Sequence, residues 1–321
     1  MELSYCVVNT DARDHLLNCL GAIRRTHPRG VEHEVIVLDN ASTDGSVEAV
    51  REVEPGVRVI GRDRRAGLAE NNSLLLHEAR GRFCLLLNED SEILEGATEA
   101  LLGALRSNPD AAAAGAQLLD PRGRRIGCAW RLPGVGTALA EALHVHRWLT
   151  VQIGGTGPRE VGWVQSAAML VRRDAAEQVD YLDSAFFVYF EEVDCQKRLR
   201  DRRWRILHVP AARAIHHQQL TTDRSVGGRR VVEFHRMRDL YMRKHHSAIS
   251  AALVRLLAAW TYSLRALGAV IVPGRRADWY WLHARQALRP GRGEGMREAA
   301  DAYNTRRASV ESGRSEEALT R

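Results

Sequence analysis

Residues 34–46 read E-V-I-V-L-D-N-A-S-T-D-G-S. An apolar run (34–38) goes straight into Asp39 and Asn40, and a turn rich in Ser, Thr, Asp and Gly then opens a helical pattern with Val47 and Val50 on its inner face. A short continuous apolar run bounded by turn residues fits a strand buried on both faces. Ser42 or Thr43 is placed to cap the helix that follows. Outward from this unit the pattern repeats. Strands are expected at 3–8, 57–60 and 83–87, and helices at 14–25, from Gly67 to 79, and at 94–106. Alternation of this kind predicts an α/β fold with right-handed βαβ units and a mostly parallel central sheet flanked by helices.

Ligands of such sheets bind beyond the carboxyl ends of the strands. The residues expected there are Asn9 and Thr10, then Asp39 and Asn40, then Asn88, Glu89 and Asp90. Asp and Asn also favour turns, so each strand end alone fits a plain loop. Three converging on one crevice suit hydrogen bonding to a base and ribose, with a metal to manage phosphates. The chain has no G-x-G-x-x-G after the first strand and no G-x-x-x-x-G-K-S/T, which disfavours a dinucleotide fold and a P-loop.

The second half adds a strand at 162–173, then F-F-V-Y-F-E-E-V-D at 186–194, then a strand at 204–209 closed by Pro210 and followed by His216 and His217. Acidic residues in a first helical turn suit the helix dipole. The aromatic run before Glu191, Glu192 and Asp194 would also desolvate them, raising their pKa towards the range of a general base. Adjacent histidines after a strand are candidates for a metal or phosphate contact.

The net charge of +6 is unevenly spread. Residues 223–321 hold 19 Lys/Arg against 10 Asp/Glu, so the C-terminal third is the part suited to anionic partners. Its apolar stretch 249–272 carries Arg255 and Arg265, which argues against a spanning helix and for a helical extension with a basic, amphipathic surface bearing Trp260, Trp279, Tyr280 and Trp281. The five cysteines are scattered with no C-x-x-C, and no signal-peptide pattern opens the chain, so a cytoplasmic location is expected, with peripheral contact on the inner face of the membrane.

With these pieces in order, the chain resembles the glycosyltransferase family 2 enzymes with a GT-A fold, in particular their rhamnosyltransferase-like branch. The matching stretches are V-V-N-T at 7–10, V-L-D-N-A-S-T-D-G-S at 37–46, G-L-A-E-N-N-S at 67–73, L-L-N-E-D at 86–90, G-W-V-Q-S-A-A-M-L-V-R-R at 162–173, F-F-V-Y-F-E-E-V-D at 186–194 and V-P-A-A-R-A-I-H-H at 209–217. The resemblance implies an inverting, metal-dependent transfer from a nucleotide-diphosphate sugar, dTDP-rhamnose or a UDP-sugar, to a hydroxyl of a glycan or lipid-linked acceptor. It implies that Asp39 meets the base, with Asn9, Asn40, Ser42 and Asp44 shaping that pocket, and that Gly67, Asn71, Asn88 and Glu89 line the donor side. Asp90 and His216 would hold Mg²⁺ or Mn²⁺. Glu192 would be the base, with Glu191 and Asp194 as alternatives, and Trp163 and Ser166 would face the acceptor. Three positions depart from the family pattern: Asn88 for an acidic residue, Glu192 for Asp, and Ser73 for Asn.

The expected organisation is a catalytic domain at 1–222, a basic helical extension at 223–290, and a partly disordered polar tail at 291–321. A homodimer is among the expected partners, and nucleic acid is not. A sugar nucleotidyltransferase, or an inactive nucleotide-sugar-binding protein, is the alternative reading. The first would need a basic glycine loop after the first strand, where the chain has V-V-N-T-D-A-R-D.

Overall fold

The computed structural model describes residues 1–217, 227–272, 274 and 276–319, with side chains described to residue 310. The first half runs β1 (Leu3–Asn9), α1 (Arg13–Thr26), β2 (His33–Asp39), α2 (Ser46–Val53), β3 (Arg58–Gly61), α3 (Leu68–Glu78), β4 (Phe83–Asn88), β5 (Ser91–Ile93), α4 (Ala97–Ser107) and β6 (Ala111–Leu119). Then come β7 (Ala129–Trp130), α5 (Val135–Ala142), α6 (His146–Leu149), β8 (Arg159–Glu160), β9 (Trp163–Val164), β10 (Ala168–Arg172), α7 (Arg173–Glu177), α8 (Glu191–Asp201) and β11 (Arg205–His216). The C-terminal part is helical: α9 (Gly227–His245), α10 (Ala248–Ile271), α11 (Ala277–Leu288) and α12 (Met296–Leu319).

The main sheet has the order β3-β2-β1-β4-β10-β6-β11-β5, with β8 paired to β11. β3, β2, β1 and β4 are parallel, as the alternating pattern predicts. β10 then runs against both β4 and β6, so the sheet is mixed beyond β4. Period-2 alternation splits each central strand between two layers. Leu3, Tyr5, Val7, Leu85 and Leu87 meet Leu16, Leu20 and Ile23 of α1 and Leu101 and Leu105 of α4. Cys6, Val8, Ile36, Leu38 and Leu86 meet Leu75 and Leu76 of α3 and Cys195 and Leu199 of α8. Helices on both faces leave the strand ends as the open edge.

Two sequence expectations change. The single strand at 162–173 is two: β9 pairs with β7 in a separate small sheet, and β10 joins the main one. Pro210 does not end β11, because a register shift between Val209 and Arg213 absorbs it. Proline is tolerated at such bulges, where its missing N–H breaks no ladder bond. Within the segment expected as a polar tail, α12 begins at Met296, and its first turns dock on the first half of the chain. Tyr303 donates its hydroxyl to the Ala41 carbonyl at 2.9 Å, and Asn304 donates to the Arg65 carbonyl and accepts from the Arg65 N–H. The boundary expected at 222–223 lies outside the described residues.

Candidate active site

Parallel pairing sets Asn9 directly opposite Asp39 at the ends of β1 and β2. Asn9 donates its amide to Asp39 Oδ1 at 2.9 Å and to Ser42 Oγ at 3.1 Å, while the Ser42 N–H donates to Asp39 Oδ2 at 3.0 Å. The Asp39 carboxylate is thereby held in one orientation before any ligand arrives. Asn40 pairs with the backbone of Ala66, donating to its carbonyl and accepting from its N–H at 2.8 Å, and so joins the β2 end to the loop ahead of α3. Asn71, in the first turn of α3, accepts from Arg62 at 3.1 Å.

Neither Ser42 nor Thr43 caps α2. Its N-cap is Gly45 in the left-handed region at φ 78°, where glycine carries no steric penalty. Asp44 does the work of a cap instead, accepting from the N–H groups of Ser46 and Arg13. Partial burial works to raise its pKa, but bonds from Ser46 and Arg13 outweigh it and hold the carboxyl below its usual range.

Gly67 couples the loop ahead of α3 to the aromatic run. The Leu68 N–H donates to the Phe187 carbonyl at 2.6 Å, and a Cβ on Gly67 would lie 2.5 Å from that oxygen. Only glycine permits the approach. From Phe187 the chain passes through Tyr189 and Phe190, both left-handed at φ 73° and 66°, and enters α8 at Glu191. Two consecutive non-glycine residues in that region store roughly 1–3 kcal/mol each and persist only where their surroundings hold them. Arg230 of α9 donates to the Tyr189 hydroxyl at 2.7 Å, and Phe190 is buried against Tyr241.

This entry sets two carboxylates side by side. Glu191 and Glu192 are both buried, and each has its Oε2 without a hydrogen-bond partner among the described residues. Burial pushes Glu192 up to about 7, its own N–H and that of Val193 restraining the rise. Burial, and then the neighbouring Glu192 charge, lift Glu191 well above the carboxylate range. Asp194 is different. It meets His245 at 2.6 Å, Lys244 at 2.7 Å and Arg198 at 2.8 Å. Burial opposes its ionisation, but hydrogen bonds from His245 and Lys244 and the Arg198 charge win and pull it down to about 2. Expected as an alternative base, Asp194 is instead the anion that pins α8 to α9.

At the β4 end, Asp90 lies beside His216, with Oδ1 3.2 Å from Nε2, because the last residues of β11 pair antiparallel with β5. Asn88 Nδ2 is 3.4 Å from the same ring nitrogen. His217 faces away from this pair, 2.7 Å from Glu92, while its N–H donates to the Asp90 carbonyl. Burial, and then the Asp90 charge, push Glu89 up to about 8. Among the described residues no cluster of three or more His, Cys, Asp or Glu forms a closed metal site. An Asp–His pair whose His216 Nδ1 is buried without a partner among the described residues still fits a Mg²⁺ or Mn²⁺ that takes its remaining ligands from substrate phosphates. On the remaining side, Trp163 stacks on Trp130 at 4.5 Å and Ser166 is buried. Gln196 of α8 holds the Val164 backbone through both its amide groups, fixing β9 against the helix that carries Glu192.

Residues 4–127 match Glycosyl transferase family 2. That stretch, which holds β1 to β6, is thus similar to glycosyltransferase family 2. This glycosyltransferase is 28% identical over 270 residues to the N-acetylglucosaminyl-diphospho-decaprenol L-rhamnosyltransferase of Mycobacterium tuberculosis, covering 78% of this chain and 87% of that one. Among solved structures, S. aureus TarS 1-349 in complex with UDP-GlcNAc superposes with a TM-score of 0.54 at 14% identity, covering 98% of this chain and 92% of that one. GalNAc-T7 with UDP, GalNAc and Mn²⁺ superposes with a TM-score of 0.56 at 15% identity, over 67% of this chain and 43% of that one. These likenesses confirm the GT-A fold.

The structure also brings to these loops residues that pattern reading missed. Arg65 sits between Asp11, with which it pairs, and the Tyr303 ring, 3.7 Å from its centroid. Tyr303 and Asn304 thus hold the loops that carry Ala41 and Arg65. No motif marks them, because their partners are some 240 to 260 positions away in the chain. Lys244 and His245 read in the sequence as generic basic residues until α9 places them on Asp194.

Proposed function

We propose that this transferase moves a sugar, with inversion, from a nucleotide-diphosphate donor to a hydroxyl of a polyprenyl diphosphate-linked sugar in the cytoplasm. The observation that carries the mechanism is the buried Glu191–Glu192 pair, each with an unpartnered oxygen, entered through a strained aromatic turn locked to the donor loop at Gly67. Two adjacent buried carboxyls titrate as a unit. Burial raises both, Glu191 well above its ordinary value with the Glu192 charge adding to the rise and Glu192 to about 7, so the pair shares a proton near neutrality and Glu192 serves as the base. Glu192 takes the proton of the acceptor hydroxyl as its oxygen attacks the anomeric carbon and the nucleoside diphosphate leaves from the opposite side.

Asp39, Asn9, Asn40, Ser42 and Asp44 orient the nucleotide, and Gly67 and Asn71 border the donor sugar. Asp90 and His216 would hold Mg²⁺ or Mn²⁺, which when bound neutralises charge on the diphosphate. Trp163 and Ser166 border the acceptor. The rhamnosyl relative favours dTDP-rhamnose as donor and a lipid diphosphate as acceptor, and the UDP-GlcNAc complex of TarS keeps UDP-sugars in the test.

The test is product formation from dTDP-rhamnose and UDP-GlcNAc with a short-chain polyprenyl diphosphate-GlcNAc, with Mg²⁺, Mn²⁺ or EDTA, and the linkage read by NMR. Inverted product that requires metal supports the reading. Retained configuration, or full turnover by Glu192→Gln, overturns it.

A further inference from the structure

α10 turns an uncharged face outward along its whole length. Ile249, Leu253, Leu256, Trp260, Leu267 and Ile271 recur at helical spacing and form one stripe whose Cα positions span roughly 60°. They are exposed: Ile249 by 74%, Leu256 by 59%, Trp260 by 58% and Ile271 by 83%. Over 24 residues the stripe extends about 36 Å. The opposite face, with Val254, Ala258 and Ala266, is buried in the protein, where α10 packs on α5, α9 and α11. Both charges of the helix are on this inner side. Arg255 is 3.6 Å from Asp239, and Arg265 lies over the Tyr262 ring.

The surroundings extend the same character. α5, packed on α10, exposes Leu139 and Leu143, and α6 next to it exposes Trp148 and Leu149 beside Arg147. The outer face of α11 shows Trp281 and Leu288 with Arg285, and Arg289 follows. An uncovered apolar face this long calls for a partner. Tryptophans with arginines at the edge suit the headgroup boundary of a bilayer, where the ring sits in the interface and the guanidinium meets lipid phosphate.

We propose that the α10 face and the α5–α6 corner lie in the plane of an anionic phospholipid surface, as a one-sided membrane dock. α10 is long and apolar enough by length and composition to cross a membrane, but its inner half is committed to protein contacts and two arginines, so it lies flat. Charge complementarity selects lipid over a second copy, since residues 223–321 carry 19 basic against 10 acidic residues and would repel their own kind. The dock is read from exposure and charge alone and needs no particular donor or acceptor.

The test is flotation of the full chain with phosphatidylcholine vesicles, with and without phosphatidylglycerol, in the absence of any sugar donor. The chain should float with the anionic vesicles, less so at higher salt. L256E/W260E should cut partition roughly tenfold or more while leaving the thermal midpoint and the nucleotide-induced shift in place. If that variant does not fold, I249Q/I271Q at the stripe ends gives the same reading. No flotation of the wild type, or equal flotation of the folded variants, overturns the dock. So does a wild-type dimer in light scattering that the variants dissociate without any vesicle binding, which would give the face to a second copy. A chain that docks but transfers no sugar fails the proposed reaction and not the dock.

Discussion

Glu192 carries the sharpest residue-level prediction. Glu192→Gln should keep donor affinity, measured by calorimetry, and lose roughly a hundred- to ten-thousand-fold in kcat. In the wild type, kcat should rise with pH through about 7, because the base works only after losing its proton, and the variant should lack that limb. Asp194 gives the contrast two residues on. Its depressed pKa makes it a source of stability that is present above about pH 4 and lost as pH falls towards 2. Asp194→Asn leaves Arg198, Lys244 and His245 facing a neutral group and should cost about 3 kcal/mol in urea unfolding, with a flatter acid limb. Asp90→Ala should remove the response of turnover to Mn²⁺. All three acids sit in stretches that look alike on paper, and E-E-x-D gives no sign of which carboxylate has cations around it.

At the scale of elements, coupling comes through backbone contacts that composition does not reveal. Gly67 and Phe187 touch because α3 and the turn before α8 converge above β1 and β4. Gly67→Ala should cost about 1–3 kcal/mol through overpacking, read in urea, and should weaken donor binding with it. α12 acts on the same loops from the other side. Tyr303→Phe removes one hydrogen bond to Ala41, worth about 1 kcal/mol, and should raise the donor Kd roughly fivefold with kcat at saturating donor unchanged. The β-strands of the first half were legible because a buried parallel strand shows itself as an unbroken apolar run. The break between β9 and β10 was not, since V-Q-S-A-A-M-L-V is as apolar as a continuous strand, and only the separate pairing of β9 with β7 divides it.

For the whole molecule, binding should show as a stability gain. A nucleotide sugar at a hundred times its Kd adds about 2.7 kcal/mol by mass action, so a thermal-shift panel with and without Mn²⁺ ranks donors directly. The sequence by itself determined the alternation of strand and helix, the polar strand ends at Asn9, Asp39 and Asp90, and the family resemblance they carry, because these depend on local propensity and short spacing. Tertiary structure alone decided which acid is solvent-starved and which is paired, that Asp90 meets His216, and that α12 braces the loops at Ala41 and Arg65. It also decided that Arg255 and Arg265 point inward and leave the outer face of α10 bare. Each of these depends on contacts between residues far apart in the chain, where the burial and charge that set a side chain's chemistry come from elements its own neighbours in sequence do not specify.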